Sequence, residues 1–384
     1  MKFEKLGNIV DIQKGKKPSF VVTPDENSVR VLQIDDLRND NNPKYTNEKS
    51  GVYAKNDDVL IAWDGANAGT IGFGKSGYIG STIALLRKKQ PDFYSTAFLG
   101  IFLQSQYQYL RCKTTGATIP HISRKALDDL QVPVISMNDQ LQIAHILSKA
   151  ENLIAQRKES IRLLDEFLKS TFLEMFGDPV RNEKRWEKDK VISYTNCIVP
   201  GRDKPKSFSG NIPWFTTDDL IHKGYVKKSK KGLGLTNVEI KNVRARVIPT
   251  GSVLLTCVGD LGIISICKED CVVNQQLHAF ICKAEINNIF LMYSLSFQKN
   301  FMFKNAKSTT VPYMNKTTCN SIPVIKPPLS LQTQFAQIVE KTEALKAQYQ
   351  QSLQELENLY GSLSQRAFRG ELGTSEEKPT VAVS

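Results

Sequence analysis

The chain has 384 residues, enough for more than one domain, and a formal net charge of +12 at pH 7. It contains no stretch of about eighteen apolar residues, so no membrane span is predicted. The first residues, MKFEKL, lack the apolar segment of a secretory signal peptide. Seven scattered cysteines indicate reduced thiols rather than a disulfide framework, and together these features predict a cytoplasmic protein.

The first 136 residues predict a mixed α/β module. Short segments rich in Val, Ile and aromatic residues alternate with clusters of Gly, Asn, Asp and Lys, a pattern that favours strands separated by turns. We expect strands over residues 6–12, 29–34, 59–63, 78–86 and 132–135, and helices over residues 94–109 and 124–130.

A long helix is predicted from residue 138 to the stop signals Gly177 and Pro179. Asn138 or Asp139 is expected to cap its first turn. The same pattern returns 192 positions later, where QTQFAQIV (332–339) corresponds to QLQIAHIL (140–147). Because 192 is half of the chain length, the sequence predicts a tandem duplication.

Both long helices carry a 3.5-residue repeat, which is typical of a helix that packs along a partner helix. At ~1.5 Å per residue each is a rod of roughly 60 Å. We expect the two helices to pair with each other; the alternative is that each packs on its own globular module. The seam residues are Ile154, Ile161, Leu164, Leu168, Met175, Tyr349, Leu353, Leu356, Tyr360 and Leu363.

The segment before the second helix repeats the first module with looser similarity. VLLTCVG (253–259), for example, corresponds to VLIAWDG (59–65). Divergent modules beside matched helices indicate two sites that recognise different things. Residues 371–384 hold few apolar side chains and are predicted to be a disordered tail.

The net positive charge of the chain lies outside the two long helices. Residues 139–177 hold five Lys and Arg against six Asp and Glu, and residues 331–370 hold four of each, so the remaining segments carry a net charge of +13. Basic globular modules beside neutral helices favour nucleic-acid binding by the modules.

The sequence contains no motif that supports catalysis. Residues 69–76 (GTIGFGKS) fit a phosphate-binding P-loop in letters, but a turn and a strand follow where a helix is required, and we interpret them as a β-hairpin with a basic tip. Cys267 and Cys271 lack a second ligand pair, so no metal is predicted. The acidic pairs at 35–36 and 218–219 are interpreted as turn caps rather than nuclease carboxylates.

The loops that flank the modules' strands and helices are the candidates for DNA contact. Their cations and hydroxyls suit phosphate oxygens, while His, Asn, Gln and Arg suit base edges. The alternative is that they are ordinary solvated loops. The candidate DNA-binding residues are Lys14, Lys16, Lys17, Lys113, Thr114, Thr115, His121, Arg124, Arg202, Lys204, Lys206, Lys304, Lys307, Ser308, Thr309, Tyr313 and Lys316.

The whole chain resembles the specificity subunits of type I restriction–modification enzymes. The resemblance is carried by FLEMFGDP (172–179) and SQRAFRGEL (364–372), which close the two helices, and by PLSLQTQ (328–334), which opens the second. The first helix departs from this entry motif, with SMND at 136–139 where the prolines would be.

The resemblance implies an α+β fold in which each target-recognition domain is followed by a long helix. The two helices would pair as an antiparallel coiled coil with pseudo-two-fold symmetry. The expected segments are recognition domains at 1–136 and 179–328, spacer helices at 137–178 and 329–370, and the tail at 371–384.

The resemblance also implies a non-catalytic function. Each domain would read one half of a bipartite, asymmetric sequence in double-stranded DNA, and the helices would set the gap and dock two methyltransferase subunits. Nuclease and translocase subunits would join them. S-adenosylmethionine, ATP and magnesium would be bound by those partners, not by this chain.

Two alternatives stay open from the sequence. One is a specificity subunit for a fused methyltransferase–nuclease. The other, from a different class, is a coiled-coil scaffold whose basic modules bind protein or RNA.

Overall fold

The computed structural model describes residues 2–371 apart from Ala117, Arg202 and Thr309. It divides into two compact units, one formed by Met1–Lys158 with Gln351–Ser384 and the other by Glu159–Gln350. Both boundaries between the units fall within long helices, and the five-segment division made from the sequence stays a prediction.

The first unit contains two main sheets and short helices. Its strands are β1 (Lys2–Lys5), β2 (Val10–Lys14), β3 (Val29–Leu32), β4 (Lys44–Thr46), β5 (Tyr53–Ala54), β6 (Val59–Ala62), β7 (Ile71–Phe73), β8 (Gly77–Ile79), β9 (Ile83–Lys88) and β10 (Gln131–Val134). Its helices are α1 (Leu6–Ile9), α2 (Thr96–Ser105), α3 (Tyr107–Cys112), α4 (Arg124–Asp128), the start of α5 (Met137–Phe176) and the end of α11 (Leu329–Phe368).

The two main sheets of the first unit face each other across a shared apolar core. One is antiparallel in the order β2-β9-β6-β7; in the other, β4-β3-β8-β5, strands β3 and β8 run parallel. Neighbouring side chains on a strand point to opposite faces. Val59 and Ile61 of β6 therefore enter one core while Leu60 and Ala62 enter the other, and all four are fully buried.

Three expectations for this unit were wrong in detail. Residues 6–12 form a helical turn followed by a strand, because Leu6, Ile9 and Val10 are buried at helical spacing. Residues 78–86 belong to two strands in different sheets, separated by a turn. The helix expected over 94–109 is broken between α2 and α3.

The hairpin with a basic tip is also wrong. β7 pairs with β6 in the first sheet, whereas β8 pairs with β3 and β5 in the second, so the segment between them links two sheets. Lys75 in this link is paired with Asp40, with 2.9 Å between the nitrogen and the carboxylate oxygen. A strand follows Lys75, which also removes the P-loop interpretation.

The second unit repeats this plan. Its strands are β11 (Glu187–Lys190), β12 (Thr195–Ile198), β13 (Ile212–Phe215), β14 (Gly224–Val226), β15 (Gly234–Leu235), β16 (Val253–Thr256), β17 (Ile264–Cys267), β18 (Val272–Val273), β19 (Leu277–Cys282) and β20 (Pro323–Lys326). Its helices are the end of α5, α6 (Val191–Tyr194), α7 (Asn237–Asn242), α8 (Asn288–Ser296), α9 (Lys299–Asn305), α10 (Lys316–Asn320) and the start of α11. The sheet β12-β19-β16-β17-β14 matches β2-β9-β6-β7 with one added strand, and the parallel pair β13-β18 matches β3-β8.

The long helices α5 and α11 each span 40 residues and start and stop in similar ways. Ser136, rather than the predicted Asn138 or Asp139, caps α5: its hydroxyl accepts the N–H of Asp139 at 3.1 Å. Both helices are followed by a glycine in the left-handed region, Gly177 at φ 73° and Gly370 at φ 79°.

The repeated glutamine in the first turn of each helix is a structural anchor. The buried Gln140 carboxamide accepts the N–H of Ser95 at 2.8 Å and donates to the carbonyl oxygens of Phe93 and Ile135 at 3.0 and 3.1 Å. Gln332 repeats this arrangement in the second unit. The repeated glutamine is therefore explained by its buried amide, whose hydrogen bonds fix each helix to the domain before it.

Segments of α5 and α11 pair within each unit. In the first, the Tyr360 hydroxyl donates to Glu151 at 2.5 Å and Lys158 lies 2.8 Å from Glu357. Partner numbers fall along α11 as they rise along α5, so the pairing is antiparallel, as predicted. In the second unit Lys346 lies 2.5 Å from Asp165. The predicted seam side chains are half-buried, except that Leu168 is buried. Tyr360 makes the hydrogen bond to Glu151 given above, and the pairing of the other seam side chains stays a prediction.

Candidate nucleic-acid interface

The predicted contact loops of the first unit emerge at one end of a sheet. β2 and β6 both end where β9 begins, because Lys14 pairs with Ala84 and Ala62 pairs with Ile83. The loops after β2 and β6 therefore lie side by side. Cationic and polar loops gathered at one sheet end form a surface suited to a nucleic acid.

Asp64 joins two of these loops. The Lys14 nitrogen lies 2.6 Å from one Asp64 oxygen, and His121 Nδ1 lies 2.6 Å from the other. Partial burial opposes ionisation of Asp64, but hydrogen bonds from Lys14 and His121 outweigh it and lower the pKa of Asp64 below its ordinary value. One carboxylate, which the sequence analysis did not single out, thus connects two predicted contact residues.

The backbone places His121 beside Asp64. Thr115 and His121 exchange N–H···O bonds of 2.9 and 2.8 Å, which close the loop between them. The N–H of Gly65 donates to the carbonyl oxygen of Pro120 at 2.9 Å. These bonds attach the closed loop to the end of β6, next to the carboxylate.

The second unit builds the same backbone loop. Lys307 and Tyr313 exchange N–H···O bonds of 2.9 and 3.1 Å, and the N–H of Gly259 donates to the carbonyl oxygen of Pro312 at 2.9 Å. Val258 faces Tyr313 across an antiparallel bridge, as Asp64 faces His121. The framework is the same while the side chains differ in kind.

This difference sets the chemistry of the two surfaces. The first unit presents a carboxylate shared by a lysine and a histidine at Lys14, Asp64 and His121. At the last two positions the second unit has Val258 and Tyr313, an apolar side chain and a phenol. The two loops therefore offer different hydrogen-bonding groups from an equivalent backbone position.

The remaining candidates are mostly exposed cations. The exposed lysines of the set are Lys16, Lys17, Lys113, Lys204, Lys206, Lys304, Lys307 and Lys316. Thr115 is exposed, whereas the Thr114 hydroxyl donates to the Arg111 carbonyl oxygen at 2.9 Å. Arg124 lies 2.9 Å from the Asp128 carboxylate on its own short helix. Ser308 has a left-handed backbone, and Arg202 and Thr309 lie outside the described residues.

One member of each acidic pair caps a turn, as expected. Asp36 and Asp219 lie in 3-10 turns that follow strands, and both are buried. The Asp36 carboxylate accepts the N–H of Gln33 at 2.7 Å, and Asp219 accepts the N–H of Thr216 at 2.7 Å. These carboxylates are occupied by the backbone, which argues against a nuclease role.

A cavity beside the predicted basic loop of the second unit was not anticipated. It has a volume of about 490 Å³, and Lys204, Trp214, Asp218, Lys231 and Gln276 are among its lining residues. The hydrogen bond from Lys231 lowers the pKa of the exposed Asp218 carboxyl. The sequence signal for this site was the run of carboxamides NQQ (274–276), which separates two strands.

The described part of the chain also lacks the features of two other classes of protein. Within residues 2–371, gaps aside, no group of three or more His, Cys, Asp and Glu is placed to hold a metal ion. Over the same part of the chain, no helix combines the length and apolar character needed to cross a bilayer.

Known sequences identify the family. Residues 1–163 and residues 195–358 each match the type I restriction modification DNA specificity domain. The chain belongs to this family. It is a specificity subunit of a type I restriction–modification system, a non-catalytic component with two target recognition domains, one in each unit. The double match also confirms the internal duplication.

Individual relatives agree with this assignment. The specificity subunit of the type I restriction enzyme MjaVIII from Methanocaldococcus jannaschii is 26% identical over 368 residues, covering 89% of this chain and 85% of the relative. That of EcoBI from Escherichia coli is 21% identical and covers 90% and 81%. The fold is similar to the type I S subunit from M. genitalium, with a TM-score of 0.62, 16% identity and 96% of each chain covered.

Proposed function

We propose that the two target recognition domains read the two halves of one bipartite, asymmetric DNA sequence. The observation that carries this proposal is the pair of loops with one backbone and different side chains, Asp64 with His121 in one domain and Val258 with Tyr313 in the other. An equivalent framework positions both domains on DNA in the same way, while different side chains select different base edges.

Phosphate contacts would come from the exposed lysines around these loops. Lys16, Lys17 and Lys113 of the first domain and Lys204 and Lys206 of the second are exposed. Their ammonium groups suit phosphate oxygens and carry no sequence information. Binding to duplex DNA should therefore weaken steeply as the salt concentration rises.

The long helices would set the gap between the half-sites and dock two methyltransferase subunits, joined by nuclease and translocase subunits. Their near-neutral charge and antiparallel pairing within each unit support a structural role. The relatives are named as subunits of type I restriction enzymes, which supports the existence of partner subunits. S-adenosylmethionine, ATP and magnesium would then be bound by these partners.

A domain exchange tests the proposal. The chain is expressed with an adenine methyltransferase subunit in a host without adenine methylation, and modified bases are mapped by long-read sequencing. We expect a two-part motif with a fixed gap that is absent when the chain is omitted. Replacing residues 1–136 with the corresponding segment of another specificity subunit should change one half of the motif only. A change in both halves would show that the domains do not read independently.

A further inference from the structure

We propose that Gln276 reads an adenine in the half-site of the second target recognition domain, and that Asn274 positions its carboxamide. This inference rests on the proposed function, in which that domain reads one half of the DNA sequence. Both residues lie in the turn between β18 and β19. Gln276 is exposed and Asn274 is half-buried.

A chain of hydrogen bonds fixes the orientation of both amides. The backbone N–H of Gln276 donates to Asn274 Oδ1 at 3.1 Å, and Asn274 Nδ2 donates to Gln276 Oε1 at 3.0 Å. A backbone N–H can only donate, so the Asn274 oxygen must face it and the Asn274 nitrogen must face outward. That nitrogen in turn requires an oxygen as its partner. The Gln276 carboxamide is therefore held with Oε1 toward Asn274 and with Nε2 directed elsewhere.

The free groups of Gln276 match one base. Gln276 Nε2 makes no hydrogen bond to any described residue, and Oε1 retains a second lone pair beside its bond to Asn274. In the major groove adenine offers the N6 amino group as a donor and N7 as an acceptor, which a glutamine amide can engage together. Guanine offers acceptors at both positions, so its O6 would face the Gln276 oxygen without a hydrogen bond.

Gln276 also lies where a base-reading group is needed. Its carbonyl oxygen accepts the N–H of Cys257 at 2.8 Å, and the Cys257 carbonyl oxygen accepts the N–H of Met314 at 2.8 Å. Gln276 is thus one strand away from the loop that presents Tyr313. It lines the same cavity as Lys204, one of the proposed phosphate contacts. A fixed amide between phosphate-binding loops is suited to read a base edge.

The corresponding position of the first domain lacks this amide. There the N–H of Trp63 donates to the carbonyl oxygen of Thr82 at 2.7 Å, as Cys257 does to Gln276. Thr82 therefore occupies the equivalent place, with one hydroxyl oxygen instead of the separate donor nitrogen and acceptor oxygen of an amide. The inference concerns only the half-site of the second domain.

Three substitutions test the two roles in the complete chain, expressed with the methyltransferase subunit as above. With Gln276→Ala, we expect the preference for adenine at one position of one half-site to fall roughly ten-fold, because one bidentate contact is lost. With Gln276→Glu, the preference should move toward cytosine, because a carboxylate only accepts and cytosine presents the N4 amino donor. In both variants the other half-site and the gap should stay unchanged.

Asn274→Asp separates positioning from folding. The new carboxylate is nearly isosteric and still accepts the N–H of Gln276, but it has no donor for Gln276 Oε1, so the carboxamide loses its fixed orientation. We expect the adenine preference to fall as in Gln276→Ala, with the unfolding midpoint unchanged. A merely structural role of Asn274 would instead lower the unfolding midpoint and leave the preference intact.

The matched control is Gln350→Ala, which removes an exposed glutamine amide from α11 and should leave the whole motif unchanged. A Gln276→Ala motif identical to that of the unaltered chain would overturn the inference and leave the proposed function standing. Changes in both half-sites would also overturn it. An unaltered chain that yields no two-part motif would refute the proposed function, and the inference with it.

Discussion

At the scale of single residues, Asp64 shows how one carboxylate organises a proposed recognition surface. Its two oxygens are used by different loops, one by Lys14 and the other by His121. The side chain is 14% exposed, so the two contacts replace water that the carboxylate has lost. Because Val258 cannot make these contacts in the second domain, the surface around Tyr313 must be stabilised by packing and backbone hydrogen bonds.

The lowered pKa of Asp64 predicts how this cluster responds to acid. A carboxyl whose pKa is lower in the folded state stabilises the fold above its unfolded pKa and loses that contribution as the pH falls through the folded value. Asp64→Asn should therefore lower the urea midpoint at about pH 7, and the deficit should shrink at about pH 3. Asp11→Asn is the control: it makes the same charge change at a side chain that is 78% exposed. An equal deficit at both pH values would contradict the stabilising role of the ionised Asp64 carboxylate.

The proposed recognition residues that sequence analysis missed depend on long-range contacts. Asp64 follows a predicted strand, but its partner His121 is 57 positions away. Gln276 acquires its proposed role from a turn that fixes its amide and from the neighbouring loop around Tyr313. Lys14 and His121 could be selected because loops rich in cations and polar groups are visible locally. Which of them meet depends on the pairing order of the strands, which residue type alone does not specify.

At the scale of elements, the end of α5 inserts an aromatic side chain into the core of the second unit. Phe172 is fully buried, with its ring centroid 5.1 Å from that of Phe297 and 5.3 Å from that of Phe335 at the start of α11. Phe290, Phe176 and Tyr293 also pack their rings against it. The two long helices thus contribute to one apolar core, together with the globular domain of that unit.

Truncating this ring should destabilise the unit strongly. Phe172→Ala removes a buried aromatic side chain, and such changes lower the free energy of unfolding by about 3–5 kcal/mol. Phe167→Ala, on the same helix, removes a ring that is 48% exposed and should change it by no more than about 0.5 kcal/mol. Both values follow from urea unfolding curves. Equal effects of the two substitutions would mean that the Phe172 cluster does not stabilise the unit.

The long helices could be predicted from sequence because their pattern is local and periodic. The expected helices start and stop within a few residues of Met137–Phe176 and Leu329–Phe368. The short strands were less predictable, because sheet partners decide where they begin and end. Residues 78–86 have apolar side chains on both sides of Gly80–Thr82 and were expected to form one strand, yet the turn at Gly80 directs the chain from one sheet to the other.

At the scale of the whole molecule, the duplication does not produce two self-sufficient halves. The first unit takes its core from its own domain, from the start of α5 and from Ala367 near the end of α11. The second uses its own domain, the start of α11 and the end of α5. Each unit therefore needs segments from both copies of the duplicated sequence. This exchange explains why the helices have kept the same length while the recognition domains have diverged.

The proposed role of the helices in setting the gap predicts an effect of their length on the recognised DNA. Deleting four residues from each helix, within 155–163 of α5 and 348–356 of α11, removes about one turn, or ~6 Å. Four residues are the nearest whole number to one turn, so side chains beyond the deletion keep nearly the same face. Both half-sites should be unchanged while the gap shortens by about one or two base pairs at ~3.4 Å each.

Methylome mapping of the shortened chain measures the half-site sequences and the length of the gap in one experiment. A deletion in α5 alone is the control, because it shifts one helix against the other and should reduce methylation rather than move the gap. If the gap stays the same after matched deletions, the helices do not set it. A shorter gap between unchanged half-sites would show that the recognition domains determine the bases and the helices determine their separation, because each quantity would then respond to changes in one part of the chain only.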